Sequence, residues 1–249
     1  MRIERVLAPN PGPFTGPGTN TWVVSVEGEA IVIDPGPRIS SHERAITEML
    51  TGQRTVAVVV THGHEDHAPL ANSLAAGLSV PTYGYGPAPD FDPDVRLVEG
   101  SEIKVGGKAL QVLSTPGHSD DHLCFRLDRV LFSGDHIIGG SSVMVEDLGS
   151  YLDSLRKLAP LDLERIYPGH GEEIAEPKKT IDWYIAHRLR RETEILAAMA
   201  AGASSVAEIV EVVYAEVDSS LHPLAAVSVA AHLRKLEEAG PEQALYLRG

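Results

Sequence analysis

The chain has 249 residues, of which 43% are hydrophobic, and a formal net charge of -14 at pH 7. This length and composition fit one large globular core, or one core with a small second domain. The negative charge disfavours non-specific attraction to nucleic acid or to an anionic membrane surface. No apolar run is long enough to cross a bilayer, and no apolar segment follows the N-terminal charges, so we expect a cytoplasmic protein without a membrane partner.

Short β-branched runs alternate with helical segments in the first 176 residues. The runs predict strands, since each is bounded by Gly, Pro, Asp or Ser. Helical spacing between them predicts helices over 41–50, 69–76 and 151–158. This alternation favours an α/β layer architecture. The predicted strands are residues 21–26, 29–34, 55–61, 109–115, 122–127, 129–135 and 164–170.

Two smaller features of this first region also lead to expectations. The single cysteine, Cys124, lies in the alternating stretch HLCFRLD, which indicates a buried thiol rather than a reactive one. The acidic stretch APDFDPDVRLVEGSE, residues 88–102, is expected to be a solvated surface loop. Neither feature predicts chemistry.

The sequence becomes helical after residue 176, where we expect no interior strand. A long helix is predicted over 178–202, with a glycine at its end. Ser205 stands three residues before Glu208, the spacing of a capping box at the start of a second helix. A third helix is expected to end at Gly240, and the last nine residues could form a short strand. We therefore predict two domains, 1–176 and 177–249, of which the second is a small helical module with a possible β wing.

The stretch VVVTHGHEDHAPL, residues 58–70, places three histidines and an aspartate within six positions after an apolar run. Neutral imidazoles and carboxylates are ligands for divalent metal ions such as zinc. Side chains alternate along an extended segment, so His62 and His64 can share one metal. Asp66 and His67 follow as the chain turns, and they can serve a second metal about 3.5 Å away. The alternative, a solvated histidine-rich loop, does not account for four donors so close together.

Three further donors each lie at the end of a predicted strand, next to a glycine. These are His118 in TPGHS, Asp135 in LFSGD and His170 in YPGHG. Strand ends can converge on one edge of a sheet, which is where open α/β folds place their sites. Each residue alone would be an ordinary turn residue, but with the first four donors they predict a two-metal site.

These residues resemble the metallo-β-lactamase superfamily of metal-dependent hydrolases. Five motifs carry the resemblance across about residues 15–175: IVIDPG, THGHEDH, TPGHSDDH, LFSGD and YPGHG. The resemblance implies a four-layer αβ/βα sandwich and implies that Asp34 steadies the ligand loop. It also implies a first metal site formed by His62, His64 and His118, a second formed by Asp66, His67 and His170, and Asp135 as the bridge between them.

Within the superfamily, the chain is most similar to the β-lactamase-like protein 2 group, through segments such as FTGPGTNTWVV and MVEDLGSYLDSL. Members of that group carry a small winged-helix-like C-terminal domain, and endoribonuclease activity on single-stranded RNA is attributed to the group. β-Lactam hydrolysis is not expected. His67 stands where the antibiotic-hydrolysing branch has arginine, and Asp135 stands near the position of its cysteine. Ala68-Pro69 replaces the glycines that often follow the ligand motif, which bears on the conformation of the loop.

The chemistry implied by two metals is hydrolysis by a metal-bridging hydroxide, because coordination lowers the pKa of water toward about 7. Asp66 could orient this hydroxide and pass its proton to the leaving group. His122, four residues after His118, either supports a metal ligand or contacts the leaving group, or is a plain histidine at a strand start. We expect two divalent ions, zinc first, with iron or manganese as alternatives for nitrogen and oxygen donors.

Four residues are candidates for substrate contact. Asn20 lies in the Gly-rich stretch TGPGTNTW, which could edge the pocket or form an ordinary turn. His187, Arg188 and Arg191 lie on the long helix near Trp183, and aromatic rings beside guanidinium groups suit stacked bases and phosphates. The alternative is a solvated helix face paired with neighbouring glutamates.

Three functions remain open at this point. The first is phosphodiester cleavage of single-stranded RNA, which the resemblance and the basic helix favour and the acidic net charge opposes. The second is thioester, ester or lactone hydrolysis similar to that of glyoxalase II, which shares H-x-H-x-D-H; against it, YPGHGEEI lacks the usual aromatic residue after the last ligand. The third is a non-catalytic, metal-containing module that binds nucleic acid, which the few basic residues after Arg191 disfavour.

Overall fold

The structure, a computed structural model, describes residues 1–140 and 142–238. The chain forms two compact units. The first comprises Met1–Pro116, Asp121–Val143 and Leu161–Pro177. The second comprises Gly117–Asp120, Met144–Pro160 and the chain from Lys178 onward. The predicted helix end at Gly240 and the predicted strand over the last nine residues lie outside the described residues.

The first unit contains a six-stranded sheet with the strand order β1-β2-β3-β4-β5-β6. The pairs β1/β2 and β2/β3 are antiparallel, and the pairs from β3 to β6 are parallel. Parallel neighbours need crossover connections, which the helices α1 and α2 provide on either side of β4. The bounds are β1 Arg2–Leu7, β2 Asn20–Val26, β3 Glu29–Ile33, α1 Ser40–Met49, β4 Arg54–Val59, α2 Ala71–Leu78, β5 Thr82–Gly84 and β6 Val95–Arg96.

A second sheet of the same unit has five strands in the order β11-β10-β9-β8-β7. Strands β7 to β10 are antiparallel, whereas β11 is parallel to β10. The last two strands therefore end at the same edge of this sheet. The bounds are β7 Glu102–Val105, β8 Lys108–Ser114, β9 Leu123–Leu127, β10 Val130–Gly134 and β11 Arg165–Pro168.

The core of the first unit lies between the two sheets, with a second apolar layer outside the first sheet. Val24 and Ile31 of the first sheet belong to the same buried cluster as Phe125 and Phe132 of the second. The opposite face of the first sheet packs against α1 and α2, where Ile46 belongs to the other cluster. All seven residues of β2 are buried, as expected for a strand covered on both faces. Cys124 is buried in β9, which confirms the expectation of a buried thiol.

The second unit contains helices, with bounds α3 Leu148–Leu158, α4 Pro177–Ala200, α5 Val206–Val213 and α6 His222–Glu238. Ile195, Ile209 and Val229 form the centre of its apolar cluster, one residue from each of the last three helices. Ser205 caps α5, since its Oγ accepts the backbone N–H of Glu208 at 3.3 Å. The return bond of the predicted capping box is displaced by one residue: Glu208 Oε2 accepts the backbone N–H of Ser204 at 2.6 Å.

The α/β sandwich predicted from the sequence is confirmed, and each predicted strand overlaps an observed one. Four strands were not predicted: β1, β5, β6 and β7. In β1 the charged and apolar residues do not alternate, and the other three strands have only two to four residues, so their patterns are weak. No described helix has both the length and the apolar composition that a membrane span requires.

Two local expectations were wrong. The helix expected over 69–76 begins at Ala71 and extends to Leu78, where Ser79 adopts a left-handed conformation with φ of 56°. The acidic stretch 88–102 is not merely a solvated loop. It contains β6, and Phe91 within it is buried. Asp94 of this stretch accepts hydrogen bonds from the backbone N–H and the hydroxyl of Thr82, at 2.8 and 2.9 Å.

Candidate metal centre

The predicted donors follow strand ends in both sheets of the first unit. Four donors lie in the loop between β4 and α2, directly after a strand whose last three residues are buried. Asp135 follows β10, and His170 lies two residues beyond β11. The two sheets meet at this end, because the backbone N–H of Asn20, at the start of β2, donates to the carbonyl of Gly169 at 2.7 Å. The fold thus brings donors from distant segments to one edge of the sandwich.

Three groups of side chains among the described residues could hold a metal ion. In the two groups that lie wholly within the first unit, the ligand atoms are within 4.8 Å of one another. His67 belongs to both of these groups. The groups are His62, His67 and Asp135; Asp66, His67 and His170; and His62, His64 and His118.

The ring nitrogens of His67 and His170 provide a test of whether a metal ion fits. Nδ1 of His67 lies 3.0 Å from Asp34 Oδ2, and Nδ1 of His170 lies 3.2 Å from the carbonyl oxygen of Gly18. Both oxygens can only accept, so each neutral ring carries its proton on Nδ1 and presents the lone pair of Nε2. These two Nε2 atoms are 3.3 Å apart. Two lone pairs at that distance repel unless a cation joins them, and a divalent ion can accept both.

Protons take the place of that cation when no metal is bound. Burial lowers the pKa of His170, but hydrogen bonds to Asp135 and Asp66 outweigh burial and raise this pKa to about 9. Burial also lowers the pKa of His67, and the charges of Asp66, Asp135 and Asp34 reverse this and raise it well above its usual value. The pKa values of the carboxylates change in the opposite direction. Burial raises the pKa of Asp66, but the nearby charge of His67 brings it well below its ordinary value. The site therefore attracts positive charge.

Asp34 orients the ligand loop from the end of β3. Its Oδ1 accepts the backbone N–H of Thr61 at 2.7 Å, and its Oδ2 accepts the Thr61 hydroxyl at 2.8 Å as well as the His67 ring. Asp34 is 2% exposed and has a φ of 51°, a region that aspartate tolerates better than most residues. The role that the resemblance implies for Asp34 thus has a direct geometric basis.

The same hydroxyl fixes the ring of His62. The Thr61 Oγ1 proton is donated to Asp34, so Oγ1 accepts from His62 Nδ1 at 3.0 Å. His62 then presents Nε2, which lies 3.0 Å from Nδ1 of His64. The backbone N–H of Gly63, between the two histidines, donates to Asp121 Oδ2 at 2.8 Å. The loop is therefore held at three consecutive residues by acidic side chains and a hydroxyl.

His118 lies in the second unit, in the segment Gly117–Asp120. Its Nδ1 is 2.8 Å from the carbonyl oxygen of Met144, which can only accept a hydrogen bond. The neutral ring accordingly carries its proton on Nδ1 and presents Nε2 as the ligand nitrogen.

Gly169 allows the segment after β11 to approach closely the predicted ligands that follow β4 and β10. A Cβ atom at this position would lie 2.5 Å from Asp135 Oδ1 and 2.6 Å from His67 Cε1. Real Cβ contacts are essentially never shorter than 3.0 Å. A side chain at this position would therefore displace two predicted ligands.

Two predicted site residues support predicted ligands through hydrogen bonds. His122 is fully buried, with Nδ1 2.9 Å from Thr115 Oγ1, and its Nε2 accepts the backbone N–H of Asp135 at 3.2 Å. It therefore holds Asp135 in place instead of facing a leaving group. Asn20 is also fully buried, and its Nδ2 donates to the carbonyls of Pro168 and Gly171 at 3.0 and 2.9 Å. It supports the loop that carries His170 instead of edging a pocket.

The residues of α4 that were predicted to contact substrate form contacts within the second unit instead. Arg188 is 3% exposed, and its guanidinium lies 5.4 Å from the ring centroid of Tyr151. The guanidinium of Arg191 lies 4.5 Å from the ring centroid of Tyr214. These contacts do not support the predicted binding of phosphates.

The third predicted contact on α4, His187, stacks on Trp183 with ring centroids 4.9 Å apart and an interplanar angle of 12°. Burial and the neighbouring cations Arg188 and Arg191 lower the pKa of His187 to about 4. The ring is therefore neutral near pH 7 and adds no positive charge to this helix.

Thr61, Asp121 and Thr19 bind the ligand loop but were not predicted as site residues. Thr61 lies within the motif THGHEDH and Asp121 within TPGHSDDH, so their position in the sequence was an available signal. Thr19 Oγ1 donates to Asp66 Oδ2 at 3.1 Å, a contact between two loops distant in the chain. Nothing in the sequence pattern marks such a contact.

Comparison with known proteins identifies the class. The family model of the metallo-beta-lactamase superfamily matches residues 14–86 and 69–170 in two overlapping segments. The model of the beta-lactamase associated winged helix domain matches residues 205–241. The chain belongs to the metallo-beta-lactamase superfamily and carries this winged helix domain at its C-terminal end. It is a metal-dependent hydrolase, and proteins of this superfamily bind divalent metals.

Individual relatives and solved structures agree with this class. The chain is 33% identical to a beta-lactamase-like protein 2 homolog of Drosophila melanogaster, over 96% of this chain and 88% of the relative. It is 36% identical to the Caenorhabditis elegans homolog of the same name, over 78% of this chain and 70% of the relative. It is also 36% identical to the thioesterase pkgB of Emericella nidulans, over 82% of this chain and 60% of the relative.

Two solved structures have the same fold. A metallo-beta-lactamase family protein of Thermus thermophilus matches with a TM-score of 0.78 and 24% identity, over 96% of this chain and 94% of the other. A second structure, described as a di-iron-bound form, matches with a TM-score of 0.55 and 26% identity, over 71% of this chain and 96% of the other. The first match spans 96% of this chain and therefore shows the fold of both the metallo-beta-lactamase region and the C-terminal region.

Proposed function

We propose that this protein is a dinuclear hydrolase. His62, with Nε2, and His64, with Nδ1, would hold one divalent ion together with His118. The second ion would be held by Asp66, His67 and His170, and Asp135 would bridge the two. The facing Nε2 atoms of His67 and His170 carry this proposal, because their lone pairs require a cation between them. Zinc suits the nitrogen and oxygen donors, as do iron and manganese.

When bound, two divalent ions activate water as a nucleophile at neutral pH and polarise the oxygen of the scissile group. The residues of the chain supply the remaining functions. The side chain of Asp66 is 26% exposed, and its carboxylate would orient the attacking water and pass the proton of that water to the leaving group. His122 keeps Asp135 in position through the backbone N–H bond. Asp34 keeps His67 in the tautomer that leaves Nε2 as the ligand atom.

For the substrate, we propose the phosphodiester bonds of single-stranded RNA. The similarity to beta-lactamase-like protein 2 homologs, which extends over up to 96% of the chain, supports this choice. The contacts of Arg188 and Arg191 give no support to it, so the RNA backbone would be bound mainly by the metal centre. We place the enzyme in the cytoplasm.

Thioester hydrolysis is the second candidate, because a relative named as a thioesterase is 36% identical over 82% of this chain. An acyl carbonyl would need the same activated water and the same polarising ions as a phosphodiester. The centre alone does not favour one bond over the other. The choice depends on the surfaces that bind the rest of the substrate.

The test uses metal-loaded enzyme and the variant Asp135→Ala, assayed against single-stranded RNA, S-acylglutathione, simple esters and lactones. We expect the variant to lose turnover by several orders of magnitude and to retain less metal, since it removes the bridging carboxylate. Turnover is measured by product release, and metal content by elemental analysis. Asp153→Ala, which removes an exposed carboxylate of α3, is the matched control and should behave as wild type.

Each result of this panel has a definite meaning. RNA cleavage that persists in Asp135→Ala would come from a contaminating nuclease and would remove the leading substrate. Hydrolysis of S-acylglutathione by wild type, absent in Asp135→Ala and without RNA cleavage, would establish the second candidate. Full activity of Asp135→Ala with two bound ions would contradict the dinuclear proposal itself.

A further inference from the structure

A chain of three side chains leads from the loop before β2 to the candidate metal centre. Asn10 Nδ2 lies 3.0 Å from Thr19 Oγ1, and Thr19 Oγ1 lies 3.1 Å from Asp66 Oδ2. Thr19 is fully buried. Asp66 Oδ2 also lies 3.1 Å from Nε2 of His170 and 3.4 Å from Nε2 of His67. The hydroxyl of Thr19 therefore contacts the carboxylate oxygen that would bind the second ion.

The direction of each hydrogen bond in this chain follows from one backbone contact. The backbone N–H of Thr19 donates to Asn10 Oδ1 at 2.9 Å. This bond determines which end of the Asn10 amide is oxygen, so the NH₂ group faces Thr19 Oγ1 and donates to it. The single hydroxyl proton of Thr19 then points to Asp66 Oδ2. Asn10 thus determines the direction in which the Thr19 hydroxyl donates its proton, although Asn10 forms no hydrogen bond of its own with the Asp66 carboxylate in this set of contacts.

We propose that Asn10 is a positioning residue for the second metal site. By directing the Thr19 hydroxyl to Asp66 Oδ2, it would leave the other lone pair of that oxygen for the divalent ion that Asp66, His67 and His170 would hold. This inference rests on the proposed dinuclear function. It goes further by assigning the orientation of Asp66 to Thr19 and Asn10, which lie outside the five motifs that carry the superfamily resemblance.

The same loop contacts another predicted ligand of this site. The carbonyl of Gly18, adjacent to Thr19, is the acceptor that fixes the tautomer of His170. Gly18 itself has a φ of 147°, and a Cβ atom there would lie 2.0 Å from the carbonyl oxygen of Ala8. The loop is therefore tightly packed beside Thr19, and two ligands of the second site depend on residues 18 and 19.

The test compares three variants with wild type. Thr19→Val removes the hydroxyl at nearly constant volume, and Thr19→Ser restores it. Asn10→Asp is the sharper change, because the new carboxylate still accepts the Thr19 backbone N–H but has no proton to donate. The Thr19 hydroxyl then turns toward the new carboxylate and away from Asp66. The added negative charge would by itself strengthen cation binding, so a loss of affinity in this variant cannot be a charge effect.

We expect Thr19→Val and Asn10→Asp each to weaken binding of the second ion about 10- to 100-fold, as is typical when a partner of a metal ligand is removed. Thr19→Ser should bind close to wild type. Affinity is measured by competition with a chromophoric chelator, and the visible spectrum of the cobalt-substituted protein reports the coordination of the second site. Both readouts are independent of the substrate.

Thr15→Val is the matched control, because its hydroxyl donates to the carbonyl of Asn10 in the same loop at 2.6 Å but is not connected to Asp66. It should keep wild-type affinity. An equal loss in Thr15→Val would assign the effect to loosening of the loop and overturn the proposal. Wild-type affinity in a folded Asn10→Asp variant would overturn it as well, and this variant remains decisive if Thr19→Val does not fold. If wild type binds no divalent ion, the proposed function fails instead.

Discussion

Gly169 shows how one missing side chain permits the candidate centre. The segment from Pro168 to Gly171 passes so close to the ends of β4 and β10 that no Cβ atom fits at this position. The contacts are with Asp135 and His67, both predicted ligands. Substitution here therefore tests the packing of the centre without removing any donor.

We predict that Gly169→Ala displaces Asp135 and His67 and lowers metal content and turnover, while the far-ultraviolet circular dichroism spectrum stays that of a folded protein. Elemental analysis and product release measure the effect. Gly77→Ala is the matched control, because nothing lies within 4 Å of a Cβ there and the position is inside α2. It should be neutral or stabilise by about 0.5–1 kcal/mol. Wild-type metal content in Gly169→Ala would show that the loop can move without cost to the site.

At the same scale, the sequence predicted donors better than it predicted supporting contacts. Five of the seven predicted donors belong to the two groups within the first unit, because each follows a strand end, a position that a pattern can indicate. Asn20 and His122 were predicted at the site, but their bonds to backbone groups depend on the pairing of distant strands. The role of Thr19 depends on the packing of two loops, which has no signature in the sequence.

Among the strands and helices, too, the sequence predicted features that have a local pattern and missed those that depend on tertiary packing. Runs such as TVAVVVT gave strong strand signals because both faces of these strands are buried. Strand β1 was missed because three of its six residues are charged and do not alternate with the apolar ones. The long helix α4 was predicted to within two residues, but the orientation of its arginines was not. Arg188 packs on Tyr151, an aromatic residue of α3, and helical spacing alone does not indicate a neighbouring helix.

Helix α4 also gives a pH-dependent prediction. The pKa of His187 is about 4 in the folded chain, compared with 6.5 in an unfolded one. Between these values the unfolded chain binds a proton that the folded chain does not, so stability present above pH 6.5 is lost as the pH falls toward 4. We predict that the unfolding midpoint of His187→Gln falls less between pH 7 and pH 5 than that of wild type, as measured by thermal unfolding.

His232 does not disturb this comparison, because burial lowers its pKa in both proteins. Lys179→Gln, an exposed substitution on the same helix, is a control for loss of a positive side chain elsewhere on α4 and should retain the wild-type fall. An identical fall in His187→Gln and wild type would mean that the imidazole titrates near its ordinary value.

On the scale of the whole molecule, the metal centre should contribute to stability. Its donors come from the loop after β4 in one sheet and from the ends of β10 and β11 in the other, so a bound ion links the two sheets. Ligand that binds only the folded state stabilises it by about 2.7 kcal/mol at a free concentration 100 times the Kd. We predict that zinc raises the thermal unfolding midpoint of chelator-treated wild type and raises that of Asp135→Ala much less. Equal shifts in both proteins would place the stabilising ion elsewhere.

The family model confirms the winged helix domain that the resemblance implied, but the domain boundary between residues 176 and 177 stays a prediction. The compact units divide the chain differently, since Gly117–Asp120 and Met144–Pro160 belong with the C-terminal helices. The sequence indicates where the mixed strand and helix pattern gives way to a purely helical one. It does not detect internal segments that join a distant unit, because such joining depends on tertiary contacts.

The burial of Cys124 has a practical consequence for spectroscopy. This residue is the only sulfhydryl in the sequence, and it lies inside β9, away from solvent. A cysteine introduced at exposed Thr51, three residues before β4 begins, would be the one thiol available to a maleimide dye. Strand β4 spans about 20 Å, so the fluorophore would be attached at the end of the sandwich opposite the histidine loop. Quenching by cobalt would then report occupancy of the centre by energy transfer in a single-label experiment.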